Sequence, residues 1–150
     1  MAELEWRTVA DRFEKARNWW VHTTGPAGPH AVPVWGVVLA ETLTFYGDPE
    51  TVRSRNLASD PRLVVTLEDG ERPLIVHGIA HRTGRASERP DMVKAYQEKY
   101  RWKHDADYLL DTDYAAQAQT YEVEPGKALA WEVTALDRWE ISRWRAKAQR

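Results

Sequence analysis

The chain has no cysteine, which excludes disulfide staples and thiolate chemistry, nucleophilic or metal-binding. It has no apolar run long enough to cross a bilayer, and no secretory hydrophobic segment follows Met1. Membrane insertion is therefore not expected, and the cytoplasm is the default location. No sign of charge dominates: 21 Lys and Arg stand against 23 Asp and Glu, a formal net charge of −2. That balance argues against a protein built for nucleic-acid binding. Several catalytic motifs are also missing. His22, His30, His77, His81 and His104 form no HExxH pair, and Ser54, Ser59, Ser87 and Ser142 sit in no nucleophile elbow. No glycine-rich Rossmann or phosphate loop appears. Without Cys, a structural zinc site would need His and carboxylates gathered by the fold. His77 and His81, four apart in a strand, share a face but are too far apart to share an ion, so no metal is expected.

What is present suits one compact domain: 150 residues, 43% hydrophobic, with no repeat, low-complexity tract or linker. One domain over residues 1–150 is the expectation. Eight Trp is an unusual number; indoles bury large areas, so they line a core, a subunit interface or a planar ligand. The stretch Arg138 to Arg150 is locally basic and holds Trp139 and Trp144; it reads as an amphipathic tail packing its indoles on the domain.

Thr8, with Asp11 in the reciprocal capping position, and Val9, Phe13, Ala16 and Trp20 at helical spacing predict a first helix to about Asn18. Trp19 to Thr24 reads as a strand, closed by the Gly25-Pro26-Ala27-Gly28-Pro29 turn. His30 to Ala40 is the next strand, with Pro33 marking an edge or bulge and Gly36 a bend or close approach. Arg62 to Leu67 and Leu74 to Gly84 follow as strands around Asp69-Gly70, with Gly78 and Gly84 as bulges. Pro90 to about Arg101 reads as helical, and Trp102 to Tyr114 as a second short helix or an extended segment. Tyr121 to Val123 and Ala128 to Val133 supply final strands separated by a Pro125-Gly126 turn. Strands joined mostly by hairpins form the pattern of a small antiparallel barrel.

One stretch carries chemistry. Thr42 to Tyr46 reads as a strand that turns at Gly47-Asp48-Pro49 into a short helix, with Asp48 as its cap and Pro49 in its first turn. The helix bears Arg53, Ser54, Arg55, Asn56 and Leu57. Arg53 and Asn56 share a face; Arg53 and Arg55 do not. A helix start and two guanidinium groups are ingredients of a phosphate or carboxylate site, though a solvated surface helix has the same residues. With many aromatics nearby, a phosphate-bearing aromatic cofactor suits the set. Such a cofactor carries its own reactive centre, which accommodates a chain with no evident acid, base or nucleophile.

Three blocks then resemble a known family. They are Gly25-Pro26-Ala27-Gly28-Pro29-His30 running into Pro33-Val34-Trp35-Gly36; Leu43-Thr44-Phe45-Tyr46 with Arg53-Ser54-Arg55-Asn56-Leu57 and Asp60-Pro61-Arg62; and Val76-His77-Gly78-Ile79-Ala80. Val123 to Trp131 is similar to that family's closing strand. The chain resembles the pyridoxamine 5'-phosphate-oxidase-like flavoproteins, and within them the branch that uses the deazaflavin coenzyme F420. The resemblance implies a mostly β, six-stranded antiparallel split β-barrel of the FMN-binding type with short flanking helices. It also implies a homodimer with cofactor sites near the subunit interface.

In that branch a Lys-x-Arg-Asn-Leu segment helps hold the cofactor's phosphate-bearing tail. Carried over, this gives Arg53, Ser54, Arg55 and Asn56, with Asn56 ordering the turn. Tyr46 supplies a hydroxyl from the preceding strand, and Pro33, Val34, Trp35 and Gly36 lie along the ring system. The chain departs from the pattern with Arg53 in the lysine position, Tyr46 in place of a smaller hydroxyl residue and His77 in place of an acid. The implied activity is hydride transfer between reduced F420 and a small conjugated acceptor, an enone or quinone; the alternative is a non-catalytic F420 or FMN carrier. FMN is the alternative cofactor. No axial ligand marks a haem site, and no catalytic residue is singled out.

Overall fold

The computed structural model describes residues 2–100, 112–133 and 141–148. Nine strands and four helices occur in the order β1 (Ala2–Glu3), α1 (Trp6–Lys15), β2 (Trp19–Gly25), β3 (Gly28–Val34), β4 (Val37–Leu39), β5 (Thr42–Gly47), α2 (Val52–Ser59), β6 (Arg62–Leu67), β7 (Leu74–Arg85), α3 (Pro90–Lys99), α4 (Thr112–Gln117), β8 (Gln119–Ala130) and β9 (Ser142–Arg145). The fold is mixed α/β: one nine-stranded sheet, antiparallel except for the β1–β9 pair, flanked by short helices. The sequence pattern pointed to a small antiparallel barrel and the resemblance to six strands; among the described residues there are nine strands, and the ladder is open. The hydrogen-bonded path runs from β1 to β3, and a branch that leaves β8 through β5 ends at β4; β3 and β4 are thus the ends of two different arms. Those two strands are consecutive in the chain, joined by Trp35 and Gly36 alone. Three residue steps span at most about 11 Å, so the sheet curls until the β3 arm and the β4 arm meet at this bend.

The curl is filled from inside by alternating positions: Trp19 and Val21 of β2, Leu63 and Val65 of β6, Leu74 and Val76 of β7, and Tyr121 and Val123 of β8, with Phe13 of α1. Strand β8 is forked. Its first half pairs with β5 and its second half with β9, while β7 runs along its other side. A second cluster joins Val37 to Met92, Tyr96 and Tyr100 of α3 and to Ala115 and Ala118, with Trp35 and Tyr46 packed on it.

Tertiary contacts move several boundaries. Helix α1 starts at Trp6, before Thr8, with no side-chain cap. Trp6 anchors that start by packing on Trp144, with ring centroids 4.8 Å apart and planes tilted by 43°, and by donating from Nε1 to Glu41 O at 2.8 Å. The Trp144 contact places one indole of the basic tail on the domain; Trp139 lies outside the described residues. The helix ends at Lys15 rather than Asn18, with Ala16 N–H closing on Arg12 and Phe13 carbonyls.

The expected strand from His30 to Ala40 is broken into β3 and β4, because Gly36 passes against the Trp19 ring, where a Cβ would lie 2.3 Å from ring carbon. Pro33 sits on β3, the edge of the path, where its missing N–H costs no ladder bond. Helix α2 is capped by Thr51, whose hydroxyl accepts from Ser54 N at 3.2 Å. Asp48 instead accepts from Glu50 N in a side-chain turn one step earlier, so Pro49 precedes the helix. Gly78 and Gly84 fall at the two register shifts of β7. The expected Pro125-Gly126 turn is absorbed into β8, a continuous strand that shifts register where Gly78 faces Pro125 and His77 faces Lys127. Of the stretch after α3, residues 101–111 lie outside the described part, and α4 follows.

Candidate functional site

Helix α2 sends its two arginines to opposite sides. Arg53 turns toward β5 and is half-buried. Its Nη2 donates to Tyr46 O at 3.3 Å, and its guanidinium carbon sits 5.7 Å from the centroid of the Phe45 ring. Gly47 makes room for it: a Cβ there would stand 2.3 Å from Arg53 Nη2. Arg53 Nε is buried with no hydrogen-bond partner. Burial lowers the guanidinium from its usual range, with Tyr121, Tyr96 and Tyr114 pulling the other way, and a cation with an unused N–H remains. Around it, Tyr46 meets Tyr96 edge-on at 4.9 Å and Tyr114 at 6.2 Å. Burial also pushes Tyr96 well above its ordinary value, so it stays a neutral hydrogen-bond donor.

Arg55 looks the other way. It is exposed on the α2 face formed with Val52, Asn56 and Ser59, bordering a cleft of about 360 Å³ under the β2–β3 turn. Asn56 is buried; its Nδ2 donates to Thr23 Oγ1 at 3.1 Å, which pins the helix to β2. Ser54 is buried as the partner of the Thr51 cap. Arg53 and Asn56, expected on one face, thus serve different neighbours, and it is Asn56 that shares a cleft with Arg55.

Of the stretch expected along a ring system, Trp35 and Gly36 are engaged by α3. Tyr96 Oη donates to Trp35 O at 2.6 Å, and Lys99 Nζ donates to Gly36 O at 2.7 Å. The Tyr100 hydroxyl accepts from Gly36 N–H at 3.0 Å, and its ring stacks on Trp35 at 4.5 Å and 7°. Burial raises Tyr100 to about 12 and lowers Lys99 to about 8. Pro33, exposed, and Val34, buried, lie on β3 at the free edge of the path. The sequence-predicted residues therefore fall into three places: Arg53 with Tyr46, Arg55 with Asn56, and Pro33 to Gly36 at the bend. Sequence reasoning missed Tyr96, Lys99 and Tyr100, whose helical spacing was visible but whose partner was not.

It also missed a cavity of about 650 Å³ on the outer sheet face, lined by His22, Arg62, Val64, His77, Ile79 and Lys127 among others. His22 pairs with Val64, Val64 with His77 and His77 with Lys127, so four side chains form one row across the sheet. Alternation shows the shared face; only the register shows the row. His22 is lowered by burial, and His77 by burial and then by Lys127. His81, by contrast, is paired with Glu124 at 2.6 Å. Among the described residues no three His, Asp or Glu come together as metal ligands.

The donors at α2 fit the acidic tail of a flavin-like cofactor: an unpaired Nε on Arg53 and an exposed guanidinium on Arg55. At the bend, α3 side chains hold the Trp35 and Gly36 backbone, which leaves the Pro33–Val34 edge as the open part of the expected ring-facing stretch.

No family model matches the chain, and no curated protein matches it. Solved structures do. The conserved hypothetical protein Rv2991 of Mycobacterium tuberculosis is 19% identical with a TM-score of 0.74, over 94% of this chain and 92% of that one. A structure named F420 reductase is 18% identical with a TM-score of 0.61, over 77% and 91%. A Listeria innocua protein named for pyridoxamine 5'-phosphate oxidase is 12% identical with a TM-score of 0.63, over 83% and 96%. The chain shares its fold with these three structures.

Proposed function

We propose that this chain binds a deazaflavin coenzyme of the F420 type and is an oxidoreductase that reduces a small conjugated acceptor, an enone or quinone. The observation that carries this reading is the buried Arg53 guanidinium, held by Tyr46 O and the Phe45 face with its Nε unpaired. Paired with an anion, that N–H would no longer be a buried donor without an acceptor. The shared fold with a structure named F420 reductase supports it, as do the sequence blocks around Pro33–Gly36 and Arg53–Asn56. Arg53 and Arg55, on opposite sides of α2, hold different acidic groups of the tail, Ser54 and Asn56 fix the helix that carries them, Tyr46 closes one wall, and the Pro33–Val34 edge faces the ring. When bound, the coenzyme supplies a hydride at its ring; the chain supplies orientation and a site shielded by Tyr46, Tyr96 and Tyr114.

A carrier reading is favoured by one observation: the Tyr96 hydroxyl is spent on a backbone carbonyl and the Tyr100 hydroxyl on the Gly36 backbone, so neither is set to deliver a proton. The chain, on this reading one split-barrel domain, works as a homodimer that covers the outer face lined by His22, Val64, His77 and Lys127.

Separate fluorescence titrations with F420 and FMN test the cofactor. Tight binding of F420 and weak binding of FMN are expected; the reverse order moves the assignment to FMN, and no binding of either removes the reading. Reduced coenzyme with a panel of enones and quinones separates enzyme from carrier: binding without oxidation of the coenzyme leaves the carrier. Arg53→Ala is expected to weaken coenzyme binding by about 1.5–3 kcal/mol.

A further inference from the structure

We infer that the cleft between the β2–β3 turn and α2 is an oxyanion site in its own right, with His30 and Arg55 as its two donors. Three observations on different elements meet there. First, Arg55 is exposed on the cleft wall, and among the described residues no carboxylate pairs with it. The acid nearest in sequence on that side, Asp60, is already committed to Arg62 at 2.7 Å. Second, His30 lines the same cleft, and its Nδ1 is buried without a partner. An imidazole leaves a bare lone pair in such a place more cheaply than a bare N–H, so the ring proton belongs on Nε2. With the proton there, Nε2 is the ring's donor, on a residue that lines the cleft. Third, Val52, one of two large hydrophobic side chains exposed among the described residues, stands on the same helix face beside Pro26 and Pro29.

A guanidinium and an imidazole N–H, both donors, next to an apolar wall define the ligand. It presents a phosphate or a carboxylate to the donors and an uncharged body to Val52 and the prolines. A cleft of about 360 Å³ holds that end of a molecule and not a whole dinucleotide. The site lies across α2 from Arg53, so Arg53 is not required for it. Two sources supply such a group: the tail of the coenzyme, in which case the site rests on the reading above, or an independent small acid.

The test uses the full chain and inorganic phosphate, with glutarate in a parallel arm, followed by NMR at the His30 ring and the Arg55 Nε. Saturable shifts at both residues are expected. His30→Phe, which keeps a planar ring, and Arg55→Gln are each expected to weaken the tighter-binding anion about fivefold or more, with unchanged thermal melts. Lys94→Gln, on α3 and not among the residues lining the cleft, is expected to leave that affinity alone. Signals that do not move with either anion, or equal affinities in wild type and both variants, overturn the proposal.

A last arm titrates F420 and its tail-less deazaflavin chromophore. If His30→Phe weakens F420 but not the tail-less form, the tail is the occupant. If phosphate shifts His30 and neither deazaflavin binds, the cleft stands with an independent acid while the cofactor reading falls. If F420 binds and His30 does not respond to any anion, the reverse holds.

Discussion

A methyl group at position 36 would stand 2.3 Å from the Trp19 ring, and neither the indole nor the backbone of a two-residue bend can yield that far. Gly36→Ala is expected to destabilise the chain by about 1–3 kcal/mol, read as a lower urea midpoint. Gly47→Ala is the contrasting case, since its Cβ meets the mobile end of Arg53. Its cost is expected in ligand affinity, with little change in melting temperature. Asn56→Ala leaves Thr23 Oγ1 in the interior without its donor and is expected to cost about 1–3 kcal/mol.

Lys99 gives a pH signature. Burial holds it at about 8 when folded, against an ordinary 10.5, with Glu14 pulling upward. Between those values the unfolded chain keeps a proton that the folded chain has released. Stability from this group is therefore lowest below about pH 8 and rises toward pH 10.5. Urea midpoints across that window should rise in wild type relative to Lys99→Met, in which the tyrosines still titrate but this contribution is gone. A parallel pair of curves would sink the assignment.

At the scale of elements, the clearest stress is in the β4–β5 turn, where Ala40 and Glu41 both have positive φ, 47° and 63°. Two successive left-handed residues are the geometry that Asn-Gly satisfies. The double change Ala40→Asn, Glu41→Gly is expected to raise stability by about 1–2 kcal/mol, measured as an upward shift of the thermal midpoint.

Most elements were legible because their signals are local. The apolar, β-branched run of Arg62 to Leu67, the prolines and glycines of 25–29, and the two β7 glycines each point to one structure, and Pro33 points to an edge or a bulge. The boundaries that moved were set from elsewhere in the chain. Trp6 starts α1 because Trp144 and Glu41 are waiting for it. Thr51 outcompetes Asp48 because Asp48 spends its carboxylate on Glu50 N–H. The candidate site was legible as residue types, not as an arrangement. The spacing of Arg53 and Arg55 already sets them on different faces, but what each face meets, Phe45 on one side and the β2–β3 turn on the other, is fixed only by the fold. His30 gave no signal at all, since an unpartnered ring nitrogen exists only once the chain is folded.

For the whole molecule, the forked β8 is the mechanical centre. It is bonded to β7 on one side and to β5 and then β9 on the other. Amide exchange is expected to be slowest for Tyr121, Val123 and Ala128, requiring global unfolding; fast exchange there would show that the fork opens locally. The proposed homodimer belongs to this scale too. Light scattering at micromolar concentration should give twice the chain mass, and His22→Glu with Val64→Glu should return the monomer if the outer face is the one covered.

Two arms of the sheet, the one ending at β3 and the one ending at β4, are tied by peptide bonds at Trp35–Gly36, not by a ladder from β3 to β4. Such a ring behaves like a clasped bracelet: it can widen at the clasp without unzipping any strand from its neighbour. The residues that latch the clasp are Tyr96, Lys99 and Tyr100, so helix α3 sets how wide the gap beside Pro33 and Val34 can spread, and hence how bulky a guest the edge admits.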